Sequence, residues 1–269
     1  MPRPQASQME SGAIVLDTTD HGESDLIVTL FCQESGRVTA IAKGAKRSKK
    51  RFVNKLEFFT YLQVNYQQKN EQVLAFLSEA EIYTCFPSLR QNLNLYGIAT
   101  IIREFLLLGV KDGEPDNNIF RLTLWAFHRL DNKEEPRQVL ALFLIQFFGY
   151  LGYRPDFHSC GNCNQTVQTT KSYRFNSSSG QLICSSCNQN NRCGRPLSQG
   201  TIKIVQTAQD QPLDRLHRLK ISGSILKESL QLLHNFGRHI FQREITSWHV
   251  LAENKKTSSE PSYLKNPEQ

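Results

Sequence analysis

Between residues 12 and 82, short runs of alternating hydrophobic and polar residues predict β-strands. The predicted strands span residues 12–18, 25–32, 36–42, 57–66 and 71–82. Turn-forming residues separate them, at Asp20-His21-Gly22, Glu34-Ser35-Gly36 and Lys69-Asn70. In the third strand, Val38 and Ala40 share one face and Arg37 and Thr39 the other. Five short strands with this spacing favour a small barrel or sandwich.

After Pro87 the hydrophobic period changes to that of helices. The first predicted helix carries Ile98, Ile101, Ile102, Phe105 and Leu108, and the second begins after an N-cap at Asp116 and carries Ile119, Leu122, Trp125 and Ala126. The third has Pro136 in its first turn and carries Val139, Leu140, Phe143, Leu144, Phe147, Phe148 and Leu151. A final helix begins near Ser224 and carries Ile225, Leu226, Leu233, Phe236 and Ile240.

The composition is that of a globular protein, with 39% hydrophobic and 10% aromatic residues and a net charge of +7. Residues 138–153 contain no charged residue, but they are shorter than the roughly 20 residues of a membrane span, so we predict a buried helix. Residues 1–11 are polar and give no sign of a secretory signal. Seven cysteines without such a signal favour the cytoplasm, with reduced thiols or metal ligation.

Four cysteines form the pattern C-x2-C-x20-C-x2-C: Cys160, Cys163, Cys184 and Cys187. Two residues between cysteines let both sulfurs of a tight turn reach one ion, and two such turns complete a tetrahedral zinc site. Because four thiolates leave no position for water, the predicted zinc is structural. Two disulfides or four unligated thiols are the alternatives, and His158 or Cys193 is a candidate substitute ligand.

The residues around these cysteines predict a zinc ribbon. Residues 172–175 and 181–184 form two short strands joined by a turn at 176–180. Asn164 and Asn188 follow the second cysteine of each pair, where a left-handed backbone conformation is common and asparagine tolerates it.

A basic loop lies between the third and fourth predicted strands, at residues 43–55, and contains no acidic residue. Its cations are Lys43, Lys46, Arg47, Lys49, Lys50, Arg51 and Lys55. Such a cluster is unfavourable unless a polyanion neutralises it, which indicates a nucleic-acid site, the alternative being a solvated flexible loop. Phe52, Tyr61 and Tyr66 are candidate base-stacking faces. A weaker basic zone comprises Arg215, Arg218, Lys220 and Lys227.

Several of these motifs together resemble the RecO family. In the N-terminal part they are Val15-Leu16, Gly22-Glu-Ser-Asp25, Val28-Thr-Leu30, Gly36-Arg37 and Ala42-Lys-Gly-Ala45 followed by basic residues. Later they are Leu151-Gly-Tyr-Arg-Pro155 before Cys160, Leu197-Ser-Gln-Gly200 after the last cysteine pair, and Phe241-Gln-Arg-Glu-Ile-Thr-Ser247. The family typically has glycine where this chain has Asn164.

The resemblance implies an α+β protein with an N-terminal OB-fold barrel, followed by a helical domain with an inserted four-cysteine zinc module. We expect an OB-fold at residues 1–82, a helical domain at 83–155 and 201–252, the zinc module at 156–200 and a disordered tail at 253–269. It also implies a non-enzymatic, cytoplasmic, nucleoid-associated protein of DNA repair and recombination.

The implied partners are single- and double-stranded DNA, RecR and single-strand-binding protein, in the RecF pathway that loads RecA.

Two alternatives share the charge and the cysteines, a zinc-ribbon transcription or RNA-binding factor and a nuclease or other metalloenzyme. The chain contains no HExxH motif and no phosphate-binding loop, since Lys49 stands where such a loop has its second glycine.

Overall fold

The computed structural model of the chain describes residues 7–68, 74–188 and 194–253. The predicted turn at Lys69-Asn70, the first residues of the predicted fifth strand, Cys193 and residues 254–269 of the predicted tail lie outside the described residues.

The described chain consists of a barrel, a helical body and a small sheet. The strands are β1 (Ser7–His21), β2 (Asp25–Cys32), β3 (Gly36–Ala42), β4 (Tyr61–Gln68), β5 (Ala75–Thr84), β6 (Asp156–Cys160), β7 (Tyr173–Asn176), β8 (Gln181–Cys184) and β9 (Arg195–Leu197). The helices are α1 (Pro87–Gln91), α2 (Leu93–Gly109), α3 (Asn117–Asp131), α4 (Pro136–Tyr150), α5 (Gln199–Asp210), α6 (Leu213–Leu216), α7 (Gly223–Phe241) and α8 (Val250–Glu253). Single 3-10 turns occur at Ala45–Arg47 and Thr246–His249. This arrangement confirms the predicted α+β class.

The first five strands close into a barrel in the order β1-β2-β3-β5-β4, which is the strand order of an OB-fold. β3 and β5 pair in parallel, and the other neighbours are antiparallel. β1 pairs with β2 on one side and β4 on the other, so Ala13 lies opposite both Cys32 and Leu62. Alternation in β3 is as predicted, with Val38 and Ala40 buried and Thr39 exposed.

Two strand boundaries differ from the prediction. The fourth strand begins at Tyr61 instead of residue 57, because residues 57–60 form a turn in which Thr60 N donates to Glu57 O and Phe59 has a φ of 67°. The ring of Phe59 thereby leaves the barrel alternation and packs against Phe127 of α3. The fifth strand continues past residue 82 to Thr84.

The predicted helix signals are confirmed. Asp116 caps α3, its Oδ1 accepting from the backbone N–H groups of Asn118 and Ile119 at 2.9 and 3.0 Å. Pro136 opens α4, which is buried from Gln138 to Phe148 and packs against α2, α3, α5 and α7. Its surroundings are therefore apolar side chains of the same protein. Among the described helices, none combines the length and apolar character that crossing a bilayer requires.

Two apolar cores organise the molecule. One fills the barrel and contains Val28, Leu30 and Val64. The other joins the helices to the small sheet and includes three residues from the outside of the barrel: Ile14, Leu16 and Phe31. Phe31 contacts Phe120 of α3 at 5.3 Å between ring centroids. The barrel therefore rests on the helical body through an apolar contact, and the domain boundaries given above remain a prediction.

Candidate metal centre and nucleic-acid interface

The four cysteines lie at one end of a small sheet with the strand order β6-β8-β7-β9. The antiparallel hairpin β7–β8 confirms the predicted ribbon. β6 and β8 are parallel, so Cys160 and Cys184 leave the sheet at its same end. β6 has no alternating pattern in the sequence, and its pairing with β8 holds it at the edge of the sheet.

The four sulfurs of Cys160, Cys163, Cys184 and Cys187 lie within 4.8 Å of one another. The Sγ atoms of Cys163 and Cys184 are 3.9 Å apart. A tetrahedron with metal–sulfur bonds of about 2.3 Å has sulfurs about 3.8 Å apart, whereas a disulfide bond is about 2.05 Å long. All four are free cysteines, and the cluster fits a metal ion rather than two disulfides.

Backbone groups shape the two cysteine turns. Asn164 has a φ of 56°, as predicted, and its N–H donates to Cys160 O at 2.8 Å. Asn188 does not occur among the described residues with positive φ, so the prediction for the second turn was wrong. Its N–H donates to Cys184 O at 3.0 Å, which closes the turn without a left-handed residue.

Hydrogen bonding within the cluster shifts the pKa values of Cys160 and Cys187 in opposite directions. Burial raises the pKa of Cys160, but the backbone N–H groups of Cys184, Cys163 and Asn162 lower it to about 6. The pKa of Cys187 is raised to about 12, because its thiol hydrogen-bonds to those of Cys184 and Cys163. Four thiolates at this spacing repel one another, so a bound cation must neutralise them.

The candidate substitute ligand His158 lies outside the cluster. Its Nδ1 is 3.9 Å from Asp156 and its Nε2 is 3.7 Å from Asp210. Among the described residues, the only group of histidine, cysteine and carboxylate side chains close enough to share an ion is that of the four cysteines. Cys193 lies outside the described residues.

The small sheet is packed firmly on the helical body. The rings of Phe157 and Phe175 stack at 5.2 Å, and Phe175 contacts Phe236 of α7 at 5.9 Å. Gln206 and Gln209 of α5 donate side-chain hydrogen bonds to Phe157 O and Pro155 O, at 2.6 and 3.0 Å. The small sheet therefore shares the apolar core of the helical body.

The basic loop, defined as residues 43–55, is anchored to the β1–β2 turn at its first half. Gly44 N donates to Asp25 Oδ1 at 2.8 Å, and Lys46 N donates to Ser24 O at 2.9 Å. Gly44 has a φ of 68°, which glycine adopts without strain. Two of the predicted cations pair with this turn: Lys46 with Asp20 at 3.0 Å and Arg47 with Glu23 at 3.3 Å.

The second half of the basic loop lies along β5. Arg51 donates to Ser78 O and to Lys43 O, at 3.4 and 3.1 Å. Lys55 Nζ donates to Ala80 O at 2.7 Å. These contacts satisfy carbonyls of β5 beyond the short stretch where it pairs with β3. Arg51 and Lys55 therefore hold the loop on the barrel.

Three loop cations remain available to a ligand. Lys43, Lys49 and Lys50 are exposed and form no side-chain hydrogen bond or ion pair within the part of the chain that the structure describes. The structure thus divides the seven predicted cations into two that pair with acidic residues, two that bind backbone carbonyls and three that face solvent.

Two of the predicted base-stacking faces, Phe52 and Tyr66, were wrong. Phe52 is buried in the barrel core beneath the Arg51 guanidinium, and Tyr66 is buried with its hydroxyl donating to Ser35 Oγ at 2.7 Å. Tyr61 is half-buried and packs between Tyr83 and Phe120, and its role as a stacking face stays a prediction. Alternation alone cannot tell an inward aromatic residue in a barrel from one presented to a ligand.

The weaker basic zone lies around α6 and the start of α7. Arg215 is 3.9 Å from its neighbour Asp214. Glu228 is turned away from Lys227, because its carboxylate accepts hydrogen bonds from Ser198 and Thr201 at the N-terminus of α5. Arg218 and Lys220 are exposed.

The comparisons with known proteins agree with this architecture. A family model described as recombination protein O N terminal matches residues 7–86, and one described as recombination protein O C terminal matches residues 90–249. The chain is 30% identical over 245 residues to DNA repair protein RecO of Syntrophobacter fumaroxidans, covering 91% of this chain and 97% of that protein. It is 31% identical to DNA repair protein RecO of Syntrophus aciditrophicus, covering 89% and 93%. It is 32% identical to DNA repair protein RecO of Thermodesulfovibrio yellowstonii, covering 85% and 90%. The chain belongs to the RecO family of DNA repair proteins.

Proposed function

We propose that this chain is a recombination mediator that binds single- and double-stranded DNA through the basic loop, anneals strands and helps load RecA onto DNA coated with single-strand-binding protein. It acts with RecR, in the cytoplasm at the nucleoid, and catalyses no reaction itself. The observation that carries the DNA-binding part is the set of solvent-facing cations Lys43, Lys49 and Lys50 on a barrel with the strand order of an OB-fold.

The basic loop suits binding of phosphates rather than reading of bases. Its free lysines are point charges on flexible stems, and its one aromatic ring, Phe52, is buried. Lys46 and Arg47 form exposed ion pairs of small net stability, so they can exchange Asp20 and Glu23 for phosphate oxygens. Binding through such contacts is driven by counterion release and is independent of sequence.

We further propose that the four cysteines hold one structural zinc ion. Sulfur ligands in a tetrahedral arrangement suit zinc, and four of them leave no place for a reactive water. The donor set therefore argues against the nuclease or metalloenzyme alternative. Elemental analysis of protein purified without chelators should give one zinc per chain, and protein without zinc would refute the assignment.

The basic loop is tested by a salt titration of binding to a single-stranded oligonucleotide. Replacing Lys49 and Lys50 by alanine should flatten the slope of log K against log salt by about 1.4, taking 0.7 per lost phosphate contact. The matched control is Arg121→Ala with Lys203→Ala, which removes two exposed cations from α3 and α5. An unchanged slope in the loop variant would move the DNA site elsewhere, first to Arg218 and Lys220.

The mediator role is tested by annealing of complementary strands coated with single-strand-binding protein. The expected result is annealing without ATP, reduced in the Lys49→Ala/Lys50→Ala variant but not in the control. A strict requirement for ATP would contradict the non-enzymatic role. Preference for structured RNA over DNA would instead support the alternative of a zinc-ribbon RNA-binding factor, which the DNA repair relatives disfavour.

A further inference from the structure

A groove runs between the small sheet and helix α7. It has a volume of about 690 Å³. Phe175 and Ser177 of the sheet line one side, with Arg195 of β9. Asn235 and Arg238 of α7 line the other side. A narrower extension of about 170 Å³ continues the groove along α7 towards Leu232 and Glu228.

The lining of this groove carries more positive than negative charge. Its lining includes Arg195, Arg238, Arg243 and His239, with Glu244 as the acidic member. Arg238 is paired with Glu244. Arg195 and Arg243 are exposed and form no side-chain hydrogen bond or ion pair with any described residue. Most other arginines of the described chain have such partners, among them Arg37, Arg129 and Arg154.

A structural role explains only part of this cluster. Arg238 and His239 lie in the last turn of α7, where cations stabilise the helix C-terminus through its dipole. Arg195 lies on β9, and Arg243 follows the helix, beyond the left-handed cap at Gln242. Arg195, Arg238 and Arg243, which lie on separate parts of the chain, thus line one groove. Arg195 and Arg243 have no hydrogen-bond acceptor among the described residues.

We infer that this groove is a second phosphate-binding site, which holds the sugar–phosphate backbone of a nucleic-acid strand other than the one on the basic loop. Guanidinium groups match phosphate oxygens with paired hydrogen bonds. The open groove with an apolar floor at Phe175 admits an extended chain. This inference rests on the proposed DNA binding and adds to it: two separate sites let one chain hold two strands at once.

The geometry keeps the two sites distinct. The basic loop contacts β5 and the β1–β2 turn, whereas the groove is made by β7, β9 and α7, so no residue belongs to both. Mutations can therefore remove one site and leave the other, which makes the inference testable apart from the proposed function.

The experiment uses the full chain and thymidine oligonucleotides of about 20 nucleotides. Equal amounts of donor- and acceptor-labelled strand report energy transfer when one protein holds two strands, and anisotropy of one labelled strand reports affinity. The loop variant is Lys49→Ala/Lys50→Ala, the groove variant is Arg195→Ala/Arg243→Ala, and a third protein carries all four substitutions. Arg121→Ala/Lys203→Ala is the control for lost charge, and Arg195→Lys/Arg243→Lys retains the charge of the groove.

We expect the groove variant to bind one strand through the loop but to lose most energy transfer, while the control and the lysine variant retain it. In the loop variant, adding the two groove substitutions should lower the remaining affinity on the order of tenfold at about 0.1 M salt. Unchanged melting temperature in the groove variant shows that it is folded.

Each of the other outcomes would contradict either the loop proposal or the groove inference. If the groove variant keeps both energy transfer and the additional affinity, the groove is not a DNA site, and the loop proposal stands. If the loop variant binds like the wild type while the groove variant does not, the loop proposal falls and the groove remains. If a hexaglutamate peptide binds the groove with DNA binding unaffected by Arg195→Ala/Arg243→Ala, the ligand is an acidic peptide and the inference is overturned.

Discussion

Lysine residues of the basic loop have different roles although the sequence presents them alike. Lys55 Nζ donates to Ala80 O, whereas Lys49 and Lys50 reach into solvent. A run of cations in the sequence gives the total charge of a loop but not the direction of each side chain. That direction depends on the folded positions of acceptors such as the carbonyl of Ala80. The sequence therefore predicts where the candidate DNA site lies. It does not predict which lysines of the loop face solvent.

At Lys55 we predict an effect on stability. Lys55→Ala removes a hydrogen bond from a charged donor and should lower the free energy of unfolding by about 1 kcal/mol. Lys50→Ala, as the matched control, should leave it within about 0.5 kcal/mol of the wild type. Urea denaturation measures both. Equal values for the two variants would show that the contact of Lys55 with β5 does not stabilise the loop.

Glu104 of α2 holds the turn at Thr246–His249 and provides a prediction about pH. Its Oε1 accepts from Thr246 N at 2.8 Å, and its Oε2 accepts from Ser247 N at 2.7 Å. Burial raises the pKa of Glu104, but hydrogen bonds from Ser247 and Thr246 outweigh it and lower the pKa below its usual value. The carboxylate therefore stabilises the fold above its unfolded pKa of about 4.3, and this contribution is lost as pH falls through the lower folded value.

Glu104→Gln should accordingly destabilise the protein on the order of 1 kcal/mol at pH 7, a modest value because the carboxylate is partly solvated. The difference from the wild type should shrink at pH values below about 4, since the wild-type side chain then becomes neutral too. Glu81→Gln, at an exposed position of β5, is the control. A difference that stays constant or grows on acidification would show that the charge of Glu104 does not stabilise this contact.

Among the single helices and strands, the sequence predicts those whose formation depends on neighbouring residues, such as capping residues and turn residues. The hairpin β7–β8 and the caps of α3 and α4 are of this kind. The prediction missed α5, although Ser198 is an N-cap residue and Ile202, Val205 and Ala208 have helical spacing. It also missed β6, whose polar residues carry no alternation and whose parallel pairing with β8 is fixed by contacts distant in sequence.

The cysteine cluster supplies a prediction at this scale. Removal of the proposed zinc ion, or Cys184→Ser, should increase hydrogen exchange in residues 158–187, because metal binding and local folding are coupled. The rings of Phe157, Phe175 and Phe236 remain packed on α7, so exchange in α7 should rise less. Cys85→Ser is the control for loss of a thiol elsewhere. Exchange that rises equally in β2 and β3 would show that zinc stabilises the whole chain instead of the small sheet.

The whole molecule depends on a contact that no periodic pattern identifies. Ile14, Leu16 and Phe31 lie on the outside of the barrel yet are fully buried, because α2 and α3 cover them. In the sequence, the five short strands left a barrel and a sandwich open, and the resemblance to the RecO family implied the barrel. Only the assembled helical body determines that the outer face of β1 and β2 is an interface rather than solvent-exposed surface.

This contact predicts that the barrel and the helical body unfold together. Both tryptophans, Trp125 and Trp248, lie in the helical body, so their fluorescence reports that part alone. Leu30→Ala inside the barrel should cost about 2–5 kcal/mol and should shift the transition seen by tryptophan fluorescence by the same amount as that seen by circular dichroism. If the fluorescence transition stays at the wild-type position, the two parts are thermodynamically independent.

The position of Glu104 also has a consequence for biosynthesis. Its acceptor oxygens bind Thr246 and Ser247, more than 140 residues later in the chain. The barrel strands, in contrast, pair with one another, and the last of them ends at Thr84. As the ribosome delivers the chain in order, we expect the barrel to form its hydrogen bonds while α2 still lacks its final contacts. A translating ribosome would thus carry a finished barrel beside an unfinished helical body, which places the need for chaperone protection late in synthesis.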